Sequence, residues 1–268
     1  MIGAGFDALV CDLDGVVYRG DGVITGAPEM LQRLRNAGIK LVFCTNNSRS
    51  TVDQYLSKLT GLGVAVDRSE ILTSGLVTAR VLRDRGFAGR RAIVIGGPGV
   101  SEALTDEGIE IDEDPESHSS DLVIVGWDPE FDYPMLRRAV MAVRAGATLV
   151  ATNADATFPA PDGLWPGAGS ILAAIEKGAG AQAEVMGKPN PPTMAAIDKL
   201  LDGSRHVACI GDRPDTDLAG GVIKGWTTIL VLSGVTAPED VGSIEPPPDY
   251  VIDSIADLDK IRAASTDQ

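Results

Sequence analysis

The stretch ALVCDLDGVVYRGDG, Ala8 to Gly22, begins as an apolar run and stops on two aspartates spaced one residue apart. The Ala-Leu-Val-Cys run lacks polar alternation, the pattern of a strand covered on both faces. Asp12 and Asp14 follow at its end, and Gly15 lets the chain turn away. Two carboxylates that close repel each other and resist burial, so the arrangement calls for a cation, a reaction, or both. Beyond Gly15, Val16-Val17-Tyr18 and Val23-Ile24 flank Gly20-Asp21-Gly22, which predicts a β-hairpin acting as a flap beside the strand end.

The same grammar recurs along the chain. Apolar runs FDALVC (Phe6–Cys11), IKLVFC (Ile39–Cys44), RAIVIGG (Arg91–Gly97), DLVIVGW (Asp121–Trp127), ATLVAT (Ala147–Thr152), HVACIGD (His206–Asp212) and TTILVL (Thr227–Leu232) alternate with helix-period segments. That alternation predicts an α/β fold, a doubly wound parallel sheet of Rossmann-like form. Pro28–Ala37 places Met30, Leu31 and Leu34 on one face. Ser50–Leu62 places Val52, Leu56 and Leu59 together, and Pro189–Leu201 opens with prolines suited to a first helical turn.

Bulk properties narrow the function. The 268 residues are 44% hydrophobic and 23% charged, with a net charge of −15, the balance of a soluble chain with a proper core. Such acidity argues against nucleic-acid binding, which rests on clustered Lys and Arg. Three scattered cysteines, Cys11, Cys44 and Cys209, suit buried reduced thiols and a cytoplasmic setting better than a disulfide framework. The N-terminal MIGAGFDALV lacks the charged and apolar regions of an export signal, and no apolar run reaches membrane-spanning length.

Ligands of open α/β sheets gather at the carboxyl ends of strands, and four polar clusters follow apolar runs in this way. Asp12-Leu13-Asp14-Gly15 offers a carboxylate nucleophile and a carboxyl proton carrier. Thr45-Asn46-Asn47-Ser48 offers hydroxyl, amide and backbone N–H groups for an oxyanion, or a helix cap at Asn47 or Ser48. Gly187-Lys188-Pro189 places a fixed positive charge before a helix. Gly211-Asp212-Arg213-Pro214-Asp215-Thr216-Asp217 gathers hard oxygen ligands suited to Mg²⁺, or makes an acidic turn.

Together DLDGVVY, TNNS, GKP and GDRPDTD resemble the four motifs of the haloacid dehalogenase superfamily. ATNADATFPAPDGLWPGAGS is similar to its subfamily IIA branch of NagD-like, p-nitrophenyl-phosphatase-like, phosphoglycolate and glycerol-3-phosphate phosphatases. The resemblance spans about Phe6 to Ile252. It implies a phosphatase of small-molecule phosphate monoesters, with Asp12 as nucleophile and Asp14 as proton donor and acceptor. It further implies Mg²⁺ held by Asp12, the Asp14 backbone carbonyl and Asp212. Thr45, Asn46 and Lys188 would bind the phosphoryl oxygens, with Asp217 and Asn47 in supporting positions. Pro214, and Ile223-Lys224 in AGGVIKGW, depart from the family pattern. A non-catalytic sensor of phosphorylated metabolites and a phosphotransferase with a non-water acceptor are the alternatives.

The strand and helix runs between Asn47 and Lys188 are too many for one crossover. They imply a catalytic core of residues 1–77 and 185–268, interrupted by an α/β cap at 78–184. In the family such a cap shapes the substrate pocket and often mediates dimerisation, so a homodimer through the cap is expected. Asn153 and Asp155, in the cap, either face the substrate or make an Asx turn. PDGLWPGAGS (Pro161–Ser170) reads as a loop into the helix Ser170–Lys177, VIGGPGVSEAL (Val94–Leu104) as a strand-to-helix turn, and AASTDQ as a frayed end.

Overall fold

In a computed structural model the described residues are 5–160 and 163–261. The expected frayed end and residues 161 and 162 of PDGLWPGAGS lie outside them. The chain runs β1 (Ala8–Cys11), a hairpin of β2 (Tyr18–Arg19) and β3 (Gly22–Val23), α1 (Ala27–Asn36), β4 (Lys40–Thr45), α2 (Val52–Gly61), β5 (Ile71–Thr73) and α3 (Ser74–Asp84). Then come β6 (Arg91–Ile95), α4 (Pro98–Asp106), β7 (Glu110–Ile111), β8 (Leu122–Val125), α5 (Tyr133–Arg144), β9 (Thr148–Ala151), β10 (Thr157–Ala160), β11 (Gly163–Pro166) and α6 (Ala168–Ala179). The last stretch is β12 (Glu184–Val185), α7 (Pro191–Leu201), β13 (Val207–Gly211), α8 (Ala219–Lys224), β14 (Thr227–Val231) and β15 (Tyr250–Ile252).

Two compact units divide these elements. The first comprises residues 1–45, 55–72 and 194–268. Its sheet has the order β15-β14-β13-β1-β4-β5. β1 lies in the interior, parallel to β13 on one side and β4 on the other, with Val10 opposite Cys209 and Val42. All four β1 side chains are buried, so an apolar residue is required at every position and not only at alternate ones. Helix α1 begins on a proline turn and buries Met30, Leu31 and Leu34, the expected face. Cys11, Cys44 and Cys209 are buried in β1, β4 and β13.

The second unit comprises residues 46–54 and 73–193. Its five-stranded sheet has the order β12-β9-β8-β6-β7, and its paired strands run parallel. Strand β8 shows why it is apolar throughout. Leu122 and Ile124 join a cluster with Leu82, Val100 and Leu104 from α3 and α4. Val123 and Val125 point the other way, into a cluster with Ala139, Ala142, Leu172 and Ile175 from α5 and α6. The turn after β6 enters α4, as the Val94–Leu104 reading expected.

The unit boundaries differ from those read in the sequence. They fall at 72/73 and 193/194, and the Asn46–Gln54 loop groups with the second unit. The physical reason is a set of contacts between that loop and the strand ends of the second sheet. The Arg49 carbonyl accepts the Gly99 N–H at 2.8 Å, and the Ser48 and Thr152 hydroxyls bond at 2.9 Å. A Cβ at Gly99 would strike the Ser50 carbonyl, so only glycine allows the approach. PDGLWPGAGS, read as a loop, contributes β11 of an antiparallel hairpin with β10, and its helix starts earlier, at Ala168.

Candidate active site

In the first unit, the interior strand β1 ends at Asp12, whose N–H donates to the Ile210 carbonyl of β13 at 3.0 Å. β13 carries its own carboxylates past its end, at Asp212 and Asp217. Adjacent parallel strands that stop together bring their following loops together. The carboxylate oxygens of Asp12, Asp212 and Asp217 lie within 4.8 Å of one another.

The loop after β13 is built to hold that convergence. Pro214 opens a wide helical turn, Pro214–Leu218, where a first-turn residue needs no N–H donor. The turn brings the Asp217 Oδ2 back to accept the Asp212 and Arg213 N–H groups, at 3.2 and 3.0 Å. Asp217 therefore sits within the carboxylate cluster, its Oδ2 held by two backbone N–H groups. Asp212 accepts the Val235 N–H at 2.7 Å, and the Thr236 hydroxyl donates to its carbonyl at 2.5 Å. The Ser233 hydroxyl donates to the Gly15 carbonyl at 2.6 Å. Gly15 has φ +80°, and a Cβ there would lie 2.5 Å from the Asp212 Oδ2, so this glycine is demanded by both backbone and packing.

Burial first, and repulsion from Asp217 second, push the Asp212 carboxyl well above the usual range. Burial also raises Asp14, against the pull of Lys58, Arg213 and Arg19. Asp14 stands at the root of the flap formed by β2 and β3, the hairpin expected from Gly20-Asp21-Gly22. Its backbone bridges to Tyr18, and the Gly15 N–H donates to the Tyr18 carbonyl at 2.7 Å. Thr45, buried at the end of β4, is hydrogen-bonded to the Tyr55 hydroxyl from α2.

In the second unit, Asn46, Asn153, Asp155 and Lys188 form one network. The Asn46 Oδ1 accepts the Lys188 N–H at 2.7 Å, while its Nδ2 donates to the Lys188 carbonyl and to the Asp155 carboxylate, each at 3.1 Å. Asn153 is buried. Its Nδ2 donates to the Asn46 carbonyl at 2.8 Å, and its Oδ1 accepts the Asp155 N–H at 3.1 Å. Its carboxamide is thus engaged in bracing the Asn46 loop and in the Asx turn that was one of its two readings. Lys188 is buried, unlike an ordinary surface lysine. The Asn47 Oδ1 accepts the Arg49 N–H at 3.0 Å. Thr51, not Asn47 or Ser48, caps α2, with Gln54 completing the exchange.

Several supporting residues were not singled out from the sequence: Tyr18, Tyr55, Lys58, and Ser233 to Thr236. The last group carried a usable signal, since SGVT follows an apolar strand just as the four motifs do. Among the described residues no helix is long and apolar enough to cross a membrane.

Residues 9–110 match the profile of haloacid dehalogenase-like hydrolases, and residues 185–258 match a HAD-hydrolase-like profile. The acid sugar phosphatase of Staphylococcus epidermidis is 36% identical over 260 residues, covering 95% of this chain and 99% of that protein. Among solved structures, 4-nitrophenylphosphatase from Thermotoga maritima matches with a TM-score of 0.87 and 34% identity, covering 96% of this chain and 97% of that one. Glycerol phosphate phosphatase from Mycobacterium tuberculosis, in complex with magnesium, gives 0.86 and 31%, covering 95% and 77%. A parallel α/β sheet with acids at its strand ends, matched along nearly its whole length, makes this chain a member of the haloacid dehalogenase-like hydrolases. Within that family it stands with the phosphoric monoester hydrolases, the class to which these relatives' names assign them.

Proposed function

We propose that the chain is a Mg²⁺-dependent phosphatase that hydrolyses small-molecule phosphate monoesters through an aspartyl-phosphate on Asp12. The observation that carries the reading is the clustering of Asp12, Asp212 and Asp217 beside a flap that presents a second carboxyl, Asp14. The donors fit the ion. They are hard carboxylate oxygens, and the mutual repulsion that raises Asp212 is of the kind a dication offsets. Asp12, the Asp14 backbone carbonyl and Asp212 would hold it, with Asp217 as a further carboxylate of the cluster. When bound, the ion supplies neutralising charge to the phosphoryl group.

An Asp12 carboxylate oxygen attacks phosphorus, forming an O–P bond as the ester P–O bond breaks. Asp14, whose burial favours the protonated form, gives its proton to the departing alcohol oxygen. Its carboxylate then takes a proton from the water that attacks phosphorus. The Asp12–phosphoryl bond breaks, inorganic phosphate leaves, and the Asp12 carboxylate is regenerated. The Thr45 hydroxyl, the Asn46 N–H and the Lys188 ammonium would hold the remaining oxygens, whose charge the site must stabilise. The relatives named for acid sugar and glycerol phosphate substrates favour sugar phosphates and glycerol 3-phosphate, with phosphoglycolate and nucleoside monophosphates as further candidates.

Phosphate release from a panel of these esters tests the proposal. Wild-type protein should turn over with Mg²⁺, stop with EDTA and recover when Mg²⁺ is restored. Asp12→Asn should stay folded and lose about 10⁴-fold or more in kcat. Near-normal turnover in that variant, or indifference to EDTA, would overturn the mechanism. Tight binding of the esters with no phosphate release from wild type would leave a sensor in its place.

A further inference from the structure

The flap that carries Asp14 has little to hold it in place by itself. Its two strands are two residues each, Tyr18 opposite Val23 and Arg19 opposite Gly22, with the Ile24 N–H donating to the Val17 carbonyl at 2.9 Å beyond them. A hairpin that short is not stable alone in water. Support comes from α2, where Tyr55 and Lys58 stand three residues apart on one face. Tyr55 bonds to Thr45 beneath the site. The Lys58 Nζ lies 3.7 Å from the centroid of the Tyr18 ring and donates to the Gly20 carbonyl at 2.9 Å. One contact falls on the first strand of the hairpin and the other on its turn.

We infer that Lys58 is a positioning residue, a cationic clamp that pins the flap to α2 and thereby fixes the backbone on which Asp14 sits. The link from Tyr18 to Asp14 is short. Tyr18 is only 2% exposed, its carbonyl accepts the Gly15 N–H at 2.7 Å, and its backbone bridges to Asp14 itself. A cation is needed because both partners are electron-rich, a ring face and a carbonyl oxygen. An apolar side chain of the same length fills the space and satisfies neither. Arginine satisfies both, through its flat guanidinium and its several N–H groups. The clamp acts on the chemical step and not on substrate affinity, since it touches the flap and none of the proposed phosphate-binding groups.

The inference deepens the phosphatase reading and rests on it for its kinetic arm, so one measurement must be independent of turnover. Amide hydrogen exchange supplies it. In Lys58→Met, the N–H groups of Gly15 and Ile24 should exchange about tenfold faster, while amides of β1 and β13 keep their wild-type protection. In kinetics the same variant should lose about tenfold in kcat with KM within about threefold, because a misplaced proton donor slows chemistry without weakening binding. Lys58→Arg should restore both exchange and kcat. Unchanged flap exchange in Lys58→Met, a loss confined to KM, or failure of Lys58→Arg to rescue would each overturn the clamp. Absence of phosphatase activity in wild type would overturn the functional reading instead, and the exchange result would still decide the clamp.

Discussion

Asp112 in the second unit and Asp212 in the first are both almost wholly buried, and their surroundings push their carboxyls in opposite directions. Burial raises Asp112, but hydrogen bonds from Ser120 and Ser117, the Asp114 N–H and the charge of Arg91 outweigh it and hold the group below the ordinary carboxylate range. Arg91 stands 2.8 Å from Oδ1 and Arg138 3.2 Å, while the Ser117 hydroxyl donates to Oδ2 at 2.7 Å. Asp212 also receives backbone N–H donation, from Val235, yet its neighbours in the cluster are further carboxylates, and its pKa rises. A buried acid whose charge is matched by local cations and donors locks a loop. A buried acid facing other acids is costly to the fold, a cost that the proposed metal site would offset.

The comparison breaks most sharply at Asp212. Replacing it with Asn removes a repelling charge while the carboxamide oxygen can still accept the Val235 N–H. Asp212→Asn should therefore lose about 10³-fold or more in kcat, the scale of removing an electrostatic anchor of the transition state. Its thermal midpoint in chelator should equal or exceed that of wild type. A lowered midpoint with retained turnover would make Asp212 a structural acid like Asp112.

Asp112→Asn should behave in the opposite way. It leaves Arg138, only 15% exposed, without its counter-charge. Breaking such a pair should cost about 2 kcal/mol, seen as a drop of about 4–8 °C in the unfolding midpoint, with kcat per folded molecule unchanged. The pH dependence carries the same sign. An unfolded aspartate titrates near about 3.9, and folded Asp112 titrates lower. Its stabilisation is therefore complete above the unfolded value and is lost as pH falls through the folded one. Urea midpoints measured on either side of about pH 4 should show a steeper acid loss in wild type than in Asp112→Asn. Parallel curves would remove Asp112 from that role.

The two acids were not equally legible in the sequence. Asp212 ends an apolar run and opens a motif, and strand ends are where ligands gather, so its position announced it. Asp112 lies in EIDEDPES, where nothing separates it from its acidic neighbours, because the arginines that single it out come from 91 and 138. The interior strands were readable since each is buried on both faces, as β1 and β8 show. The three-residue β5 and β15 and the β10–β11 hairpin gave no such run, and Pro159 and Pro166 hid a ribbon in which proline is tolerated at an edge. How near Asp217 comes to Asp212 had no signal in the sequence, because only the wide turn at Pro214–Leu218 returns its carboxylate there. Lys58 carried no local signal at all, since its partners, Tyr18 and Gly20, stand some forty residues away.

The smallest effect belongs to a third charged pair, at one of the chain's departures from its family pattern. Lys224, in the last turn of α8, meets Asp198 at 2.5 Å, with side chains 30% and 46% exposed. Its position suits the negative end of the helix, and neighbouring Ile223 points to solvent at 71% exposure, so neither residue is committed to the core. Water already solvates both partners, and ordering two long side chains offsets most of the attraction. Lys224→Ala should change unfolding free energy by less than about 0.5 kcal/mol, and should do so less in high salt. Urea unfolding of the single variants and of the pair with Asp198→Ala measures the coupling directly. A coupling above about 1 kcal/mol, insensitive to salt, would show that short distance alone sets the worth of an ion pair here. The contrast between Asp112 and Asp212 would then lose its basis, because that contrast assigns the decisive part to burial and to the charge of the neighbours.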